Sequence, residues 1–492
     1  MRVLTDRRPV VPTSHGQVRG TVEGDLVVFR GIPFAAPPVG DLRFAAPQPP
    51  REWADVLDAS AFGPIPAQAE VPSSAVAPPP NPPDDGRGCL TANVWTSDLS
   101  GRRPVMVWIY GGGYLAGSSA DPGYDGAALA EEVVVVTFNY RVGAEGFGQL
   151  AGAPANRGLL DQVAALKWVR DNAAAFGGDP EQVTIFGQSA GAGAVAALLA
   201  MPRAAGLFQR AIAQSVPGTF VSPELAADVL ATIEAKAGGT ETAALTAAVD
   251  KLDLREYVDR WGTFAYGVSP YAPVVDGDVL PATPWQALRD GASRDVELIV
   301  GHTRDEFRKM LAGRGLRGRV TAEMAADALA ALAPDAEACR AAFPEATPEE
   351  LYELVHSDWL FRMPSAHLAR DHTGRTFCYE FVLEAPGNGG ALGACHGADV
   401  ALTFGNLTGP LAEKMLGPQP NAELIAVSAA MRAAWTAFAR GEGPGWGEFG
   451  ETGTTWVIDA DPIVRSYPEQ ASANLWAGHD FPCLPLREGS LS

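Results

Sequence analysis

The chain has 492 residues, and 47% of them are hydrophobic, which is ordinary for a globular protein in water. Its formal net charge is −21, and such an acidic surface repels phosphate backbones and anionic lipid. We therefore expect neither a nucleic-acid partner nor a membrane partner, and we interpret the acidity as a source of solubility.

The cysteines and the N-terminal stretch bear on the cellular compartment in which the protein is expected. The five cysteines show no CxxC pattern and no metal-ligand spacing, and an odd, sparse set is typical of reduced thiols. The N-terminal stretch MRVLTDRRPVVPTSHG is basic but lacks the apolar core of a signal peptide. No stretch reaches the ~18 apolar residues of a membrane span. We expect a cytoplasmic protein.

Short apolar runs predict the strands. Their length and their content of β-branched and aromatic residues favour strands that are buried on both faces, as in a parallel sheet. In chain order they are PVMVWIY (104–110), VVVVTFNY (133–140), VTIF (183–186), ELIVG (297–301) and TFCYEFVL (376–383).

Helical periodicity separates these strands. Residues 156–176 place apolar side chains three or four positions apart, and the pattern stops at Gly177 and Gly178. Residues 423–440 show the same helical spacing of apolar side chains, and this pattern ends at Gly441. The alternation predicts an α/β fold with a doubly wound sheet.

Two alanine-rich helical regions, at about 223–260 and 321–355, interrupt the alternation. Length alone is compatible with two or three domains. We instead predict a single domain over residues 1–492, with these two regions as insertions that form a pocket wall or lid. The proline-rich stretch at 71–88 predicts a surface loop.

The pentapeptide GQSAG places Ser189 between a predicted strand and a predicted helix. A hydroxyl needs a base, an orienter for that base and donors for the oxyanion before it acts as a nucleophile. Glycines on both sides of the serine make room for a sharp strand-to-helix turn with strained dihedral angles. A G-x-S-x-G pattern alone is weak in a chain with 54 glycines, and its placement strengthens it.

A second glycine motif supplies candidate oxyanion donors. Gly111, Gly112 and Gly113 directly follow the predicted strand at 104–110, where backbone N–H groups can turn inward without side chains in the way. Together with the N–H of Ala190, the residue after the serine, they provide what an oxyanion hole requires.

The base and the acid are less certain from the residues alone. Among seven histidines, His396 leads because it lies in a small-residue loop after a predicted strand; its rivals are His302, His356, His367 and His372. For the acid, Glu306 and Asp305 both follow the strand at 297–301, and spacing does not choose between them. Either one gives the order nucleophile, acid, histidine.

Many blocks of the chain resemble the type-B carboxylesterase/lipase family, which includes bacterial carboxylesterases and the cholinesterases. The most specific block is NRGLLDQVAALKWVRDNAAAFGGDPEQVTIFGQSAGAGAV, and the others are GQVRG, FRGIPFAAPPVGDLRFAAPQPPREW, VMVWIYGGGY, NYRVGAEGFG, YAPVVDGDVLP, GHTRDEF and CHGADVALTFG. The resemblance covers almost the whole chain. It implies the α/β-hydrolase fold, with a mostly parallel central sheet flanked by helices.

The resemblance also implies a serine carboxylesterase. Ser189 is then the nucleophile, Glu306 the acid and His396 the base, and the N–H groups of Gly112, Gly113 and Ala190 bind the oxyanion. The reaction is two-step acyl transfer, and it requires no metal and no cofactor. We expect small esters with short-to-medium acyl or aryl groups as substrates; lipase, amidase, carbamate, xenobiotic and polyester hydrolysis stay open. We expect a monomer or a small homo-oligomer.

The chain departs from the family pattern beside the nucleophile. The family usually has glutamate where Gln188 stands, and a carboxylate there would favour the imidazolium form of the base. We expect altered kinetics and retained activity. Tyr114 and Gln188 are candidate substrate contacts. The choline-binding tryptophan of cholinesterases is absent, which argues against that activity.

Further departures lie near the N-terminus. Arg87 replaces the glutamate that pairs in the family with an arginine, so Arg43 needs another partner, for which Asp84 and Asp85 are candidates. Cys89 matches a cysteine that is disulfide-bonded in secreted relatives, but its partner is missing. The family's pattern therefore agrees with a reducing compartment.

Two alternatives to the serine esterase remain. The family includes adhesion proteins, such as neuroligins, that keep the fold without a working triad, so a binding protein is the second hypothesis. The third is a thiol enzyme that uses Cys395 beside His396, although adjacent residues rarely face each other productively. Reaction of Ser189 with an active-site probe separates the first hypothesis from the others.

Overall fold

Two β-sheets form within residues 8–68 and 88–487, the parts of the chain that the computed structural model describes. The strands are β1 (Val10–Thr13), β2 (Gly16–Arg19), β3 (Thr21–Glu23), β4 (Leu26–Pro33), β5 (Leu57–Asp58), β6 (Thr91–Thr96), β7 (Arg103–Ile109), β8 (Val134–Phe138), β9 (Gly178–Gln188), β10 (Arg210–Gln214), β11 (Glu297–Thr303), β12 (Thr376–Phe381), β13 (Thr454–Ile458) and β14 (Ile463–Ser466).

The large sheet has the order β14-β13-β12-β11-β10-β9-β7-β8-β6-β4-β3. Its central strands, from β8 to β13, are parallel to their neighbours, and antiparallel strands flank them on both sides. A small sheet, β1-β2-β5, forms separately. The arrangement confirms the predicted doubly wound, mostly parallel α/β class.

The helices are α1 (Gly143–Phe147), α2 (Arg157–Asn172), α3 (Ala190–Ala200), α4 (Pro223–Ala237), α5 (Thr242–Val249), α6 (Val258–Trp261), α7 (Pro284–Arg289), α8 (Arg308–Gly313), α9 (Ala322–Leu332), α10 (Ala336–Ala342), α11 (Pro348–Ser357), α12 (Met363–Asp371), α13 (Ala398–Phe404), α14 (Pro410–Leu416), α15 (Ala422–Ala439) and α16 (Gln470–Trp476). One group, α2, α3, α7 and α12, packs together against the sheet, and a second group consists of α13 and α15.

The apolar runs form strands because both of their faces are covered. Every residue of β8 is buried, and in β7 all but Arg103 are buried. The five predicted strands correspond to β7, β8, β9, β11 and β12. The two predicted helices correspond to α2 and α15. Gly177 ends the first at φ 79° after a 3₁₀ turn, and Gly441 follows the second at φ 78°.

The two alanine-rich regions are helical as predicted. The first contains α4, α5 and α6, and the second contains α9, α10 and α11. Their role as a lid or pocket wall, and the single-domain boundary, stay predictions. The proline-rich loop falls outside the described residues except for Gly88. Among the described helices, none combines the length and the apolar character that crossing a membrane requires.

Candidate active site

Ser189 lies at the corner between β9 and α3, at the carboxyl end of the central parallel strands. Its backbone has φ 59° and ψ −126°, a strained conformation for a residue with a side chain. The turn is held by the Ser189 N–H, which donates to the carbonyl of Gln214 at the end of β10 over 2.9 Å. The serine is partly exposed at a site where helix α3 presents its N-terminus.

The flanking glycines are required by close backbone contacts. A Cβ on Gly187 would lie 2.7 Å from the backbone of Gly191, and a Cβ on Gly191 would lie 2.0 Å from the carbonyl oxygen of Ile109. Real Cβ atoms do not approach backbone this closely. The corner therefore depends on both glycines of the pentapeptide.

The predicted oxyanion donors have no other acceptor. Within the described part of the chain, the N–H groups of Gly112, Gly113 and Ala190 donate to no protein atom. Gly112 has φ 113° and Gly113 has φ 65°, so a side chain at either position would be strained. Three free N–H groups beside a serine can stabilise a developing negative charge.

His396 and Glu306 face each other. The Nδ1 atom of His396 makes a short hydrogen bond with Oε2 of Glu306, and the carboxylate also accepts from the N–H of Thr303 over 2.8 Å. In the neutral imidazole, Nδ1–H donates to the carboxylate and Nε2 keeps its lone pair. The ring of Phe361 covers the imidazole at a centroid distance of 4.2 Å. This contact had no signal in the sequence.

Glu306 is fully buried and charged. Burial raises the pKa of its carboxyl, but mainly the neighbouring charge and hydrogen bond of His396 outweigh that cost and hold the pKa below its usual value. The neighbouring Asp305 points elsewhere and pairs with Arg308 at 3.0 Å. The structure therefore brings Glu306, and not Asp305, to the histidine.

Ser189 and His396 are not joined by a hydrogen bond in the described structure. Instead, the side-chain amide of Gln188 lies 3.1 Å from Nε2 of His396. Gln188 is 7% exposed. Its amide contacts the ring nitrogen that would have to take the proton of the serine. Catalytic hydrogen bonds in unliganded sites are often long and tighten only when substrate binds.

Tyr114 is buried, at 2% exposure, and its hydroxyl has no hydrogen-bond partner in the described structure. A Cβ on Gly193 would lie 2.1 Å from that hydroxyl, so the ring tip lies against α3. The tyrosine has φ 58°, which continues the strained oxyanion loop. Contact of Tyr114 or Gln188 with substrate stays a prediction.

Two cavities lie beside the oxyanion loop. One is lined by Leu115, Glu145 and Leu245, the last of which lies on α5. The other is lined by Phe147 and Phe264. Tyr271 lines both, which places them next to each other.

The rival groups have other partners. His302 is buried with Nε2 2.7 Å from the Tyr467 hydroxyl, and burial lowers the pKa of His302 to about 4. His356 stacks on Phe307, and burial lowers its pKa to about 3. Burial raises the pKa of the Cys395 thiol to about 11, which opposes a thiolate nucleophile.

Arg43 finds a partner that the sequence did not suggest. Its Nε donates to Glu145 over 2.9 Å, while the predicted candidates Asp84 and Asp85 fall outside the described residues. All five cysteines are free thiols. In residues 8–68 and 88–487, no group of three or more His, Cys, Asp or Glu side chains is arranged to hold a metal ion.

Comparison with known proteins places the chain in one family. The sequence profile described as "Carboxylesterase family" matches residues 7–457. The para-nitrobenzyl esterase of Bacillus subtilis (strain 168) is 36% identical over 490 residues, which cover 94% of this chain and 96% of that protein. The phenmedipham hydrolase of Pseudarthrobacter oxydans is 37% identical over 470 residues, covering 88% of this chain and 90% of that protein.

Solved structures agree. A thermophilic PNB esterase superposes with a TM-score of 0.82 at 34% identity, covering 95% of this chain and 99% of that chain. A Geobacillus stearothermophilus carboxylesterase gives a TM-score of 0.82 at 33% identity with the same coverage of both chains. The fold is therefore that of the α/β-hydrolases, as the resemblance implied.

Proposed function

The chain belongs to the carboxylesterase family and is a serine hydrolase that acts on carboxylic esters, and we propose that Ser189, His396 and Glu306 carry out its reaction. The observation that carries this assignment is the hydrogen bond between His396 and a buried, charged Glu306, beside a strained serine corner. A carboxylate on Nδ1 leaves Nε2 free to accept the proton of a nucleophile.

In the first step of the proposed mechanism, Ser189 Oγ attacks the ester carbonyl while Nε2 of His396 takes its proton. Glu306 holds the tautomer and stabilises the imidazolium that forms. The N–H groups of Gly112, Gly113 and Ala190 bind the oxyanion of the tetrahedral intermediate. Its collapse expels the alcohol, which leaves with the proton from His396.

In the second step, water hydrolyses the acyl-enzyme. His396 removes a proton from the water and the oxyanion returns to the same three donors. The intermediate then collapses to the acid as His396 returns the proton to Ser189 Oγ. Before either step, Nε2 must exchange the amide of Gln188 for the reacting hydroxyl. This exchange is the one rearrangement that the mechanism requires of the unliganded site.

We propose small esters with short-to-medium acyl or aryl groups as substrates. The name of one relative, a para-nitrobenzyl esterase, supports a preference for small esters. The reaction needs no metal and no cofactor, since nucleophile, base and oxyanion donors all come from the chain. The proposal includes a cytoplasmic enzyme of bacterial type that acts as a monomer or a small homo-oligomer.

The first experiment is treatment of the pure protein with a fluorophosphonate, followed by intact mass measurement. This probe requires no guess about the ester. We expect one adduct on the wild type and none on Ser189→Ala. A folded wild type without an adduct would mean an unactivated serine, and an adduct that persists on Ser189→Ala would assign the reaction to another residue.

A further inference from the structure

The loop that carries the oxyanion donors contains a tight turn over residues 112–115. The N–H of Leu115 donates to the carbonyl of Gly112 over 3.1 Å and closes the turn. The two central residues, Gly113 and Tyr114, have φ 65° and φ 58°. Positive φ at both central positions identifies a type I′ turn. Glycine adopts this conformation readily, whereas a tyrosine is strained in it.

The middle amide of this turn, between Gly113 and Tyr114, is held by a side chain. The carbonyl groups of Gly112 and Tyr114, in the amides on either side, accept from backbone N–H groups. In the middle amide, the carbonyl of Gly113 accepts from Oγ of Ser269 over 2.5 Å. In the described part of the chain this is its only hydrogen bond, because the N–H of Tyr114 donates to no protein atom there.

The hydroxyl of Ser269 is itself fixed in direction. Its oxygen accepts from the N–H of Tyr271 over 3.1 Å, so the hydroxyl proton is left to donate to Gly113. Ser269 is 7% exposed, which leaves water little access to this bond. A Cβ on Gly113 would lie 3.1 Å from the Cβ of Ser269, so the two segments are in close contact. The segment at 269–271 therefore supports the oxyanion loop directly.

Loss of this bond would leave the middle amide free to rotate. Turn types I′ and II′ differ by a rotation of that amide, and in type II′ only the first central residue has a positive φ. Rotation would therefore relieve the strain at Tyr114. In a type I′ turn, as in one turn of a helix, successive N–H groups point one way and the carbonyl groups the other. The rotated carbonyl of Gly113 would point to the side of the Gly113 N–H and repel an oxyanion there.

We propose that Ser269 is a positioning residue for the oxyanion hole. Its hydroxyl holds the amide between Gly113 and Tyr114 in the orientation that keeps the Gly113 carbonyl away from the developing negative charge. The inference rests on the proposed serine esterase and adds a residue to its machinery. Ser269 acts through the loop and not through the ester.

The test compares Ser269→Ala with Ser97→Ala. Oγ of Ser97 also donates to a backbone carbonyl, that of Ala130, over 2.9 Å. Ser97 follows β6, which is antiparallel to β8, so it lies at the amino end of the central parallel strands, whereas Ser189 lies at their carboxyl end. Each variant loses one oxygen atom and one hydrogen bond to the backbone. Rates are expressed per site that the fluorophosphonate labels at complete reaction.

The first readout separates kcat from KM on a neutral ester. We expect Ser269→Ala to lower kcat about tenfold or more, below the factor of about 10² to 10³ that follows removal of a whole oxyanion donor. KM should stay within about twofold of the wild type, because the loop stabilises the charge of the transition state and not the bound ester. Ser97→Ala should leave both constants unchanged.

The second readout uses two ketones of matched chain length. With hexyl trifluoromethyl ketone, Ser189 Oγ adds to the carbonyl, His396 takes the proton, and the ketone oxygen becomes an oxyanion. Hexyl methyl ketone binds without this addition. Ser269→Ala should raise the inhibition constant of the trifluoromethyl ketone by about the factor lost in kcat and leave that of the methyl ketone within about twofold.

Two outcomes overturn the proposal. One is a kcat of Ser269→Ala equal to that of Ser97→Ala, and the other is an equal rise in the inhibition constants of both ketones, which would assign Ser269 to the shape of the pocket. Neither outcome affects the proposed mechanism as long as the fluorophosphonate labels the wild type and not Ser189→Ala. Loss of labelling in the wild type would instead contradict the mechanism itself.

Discussion

The imidazole of His396 lies between a carboxylate on one ring nitrogen and a neutral amide on the other. Glu306 accepts from Nδ1, and the amide of Gln188 contacts Nε2 at 3.1 Å. When Nε2 carries no proton, the amide NH₂ of Gln188 is the donor. The amide has no charge, whereas a carboxylate at this position would favour the imidazolium.

We therefore predict that Gln188→Glu moves the acid limb of the pH profile to higher pH. The added negative charge makes the imidazole harder to deprotonate, and the protonated ring cannot take the proton of Ser189. The shift should be about one pH unit, at the low end for an opposite charge in contact. The measurement is kcat/KM between pH 5 and 9 with a neutral ester.

Gln17→Glu serves as the control for this shift, because it adds the same charge on the exposed surface of β2. Its acid limb should coincide with that of the wild type. If the acid limb of Gln188→Glu also coincides with that of the wild type, the side chain of residue 188 no longer contacts the imidazole once substrate is bound.

At the scale of secondary-structure elements, the first turn of helix α3 lies so close to strand β7 that only glycine fits at position 191. Alanine normally stabilises a helix relative to glycine by ~1 kcal/mol. At Gly191 the added Cβ would lie 2.0 Å from the carbonyl oxygen of Ile109, which is backbone of a central strand and cannot move aside.

For Gly191→Ala we predict a reversal of the usual sign, with a loss of about 1–3 kcal/mol in the free energy of unfolding. Gly239→Ala is the matched control, because a Cβ added there would meet no atom within 4 Å and the change should stay below ~0.5 kcal/mol. Urea unfolding of both variants gives the comparison. A stability of Gly191→Ala at or above that of the wild type would contradict the close contact.

The elements that the sequence predicted are those with continuous apolar runs or long periodic faces, such as β7, β8, α2 and α15. The strand β10 went unpredicted because its five residues, RAIAQ, are short and polar at both ends. At the site, the motifs located Ser189, Glu306 and His396, but the residues alone did not choose Glu306 over Asp305. In the structure, Glu306 accepts from the N–H of Thr303 at the end of β11 and reaches His396, while Asp305 pairs with Arg308.

At the scale of the whole molecule, a buried ionic network connects β12 with α16 and the turn before α12. Arg362 pairs with Asp358 at 3.0 Å and with Glu469 at 2.6 Å. Glu380 is fully buried on β12, and neither of its carboxylate oxygens has a hydrogen-bond partner in the described structure. Burial, with the nearby charge of Glu469, raises the pKa of Glu380 well above its usual value.

This shift fixes the sign of a pH effect on folding. As the pH rises above the ordinary glutamate pKa, about 4.5, the unfolded chain releases the proton of Glu380 while the folded chain, in which the pKa is raised, retains it. Stability from this group is therefore lost as the pH rises above that value, by at most about 1.4 kcal/mol per pH unit. Glu380→Gln cannot ionise and keeps the neutral form throughout.

We predict that the free energy of unfolding of Glu380→Gln, relative to the wild type, rises from pH 5 to pH 8. Guanidinium unfolding at both values measures it, and Glu451→Gln, at an exposed position, should run parallel to the wild type. Parallel behaviour of Glu380→Gln would mean that its carboxyl is already ionised in the folded state. Because Gln188→Glu changes the pH dependence of the rate and Glu380→Gln that of stability, the pair of variants separates the two.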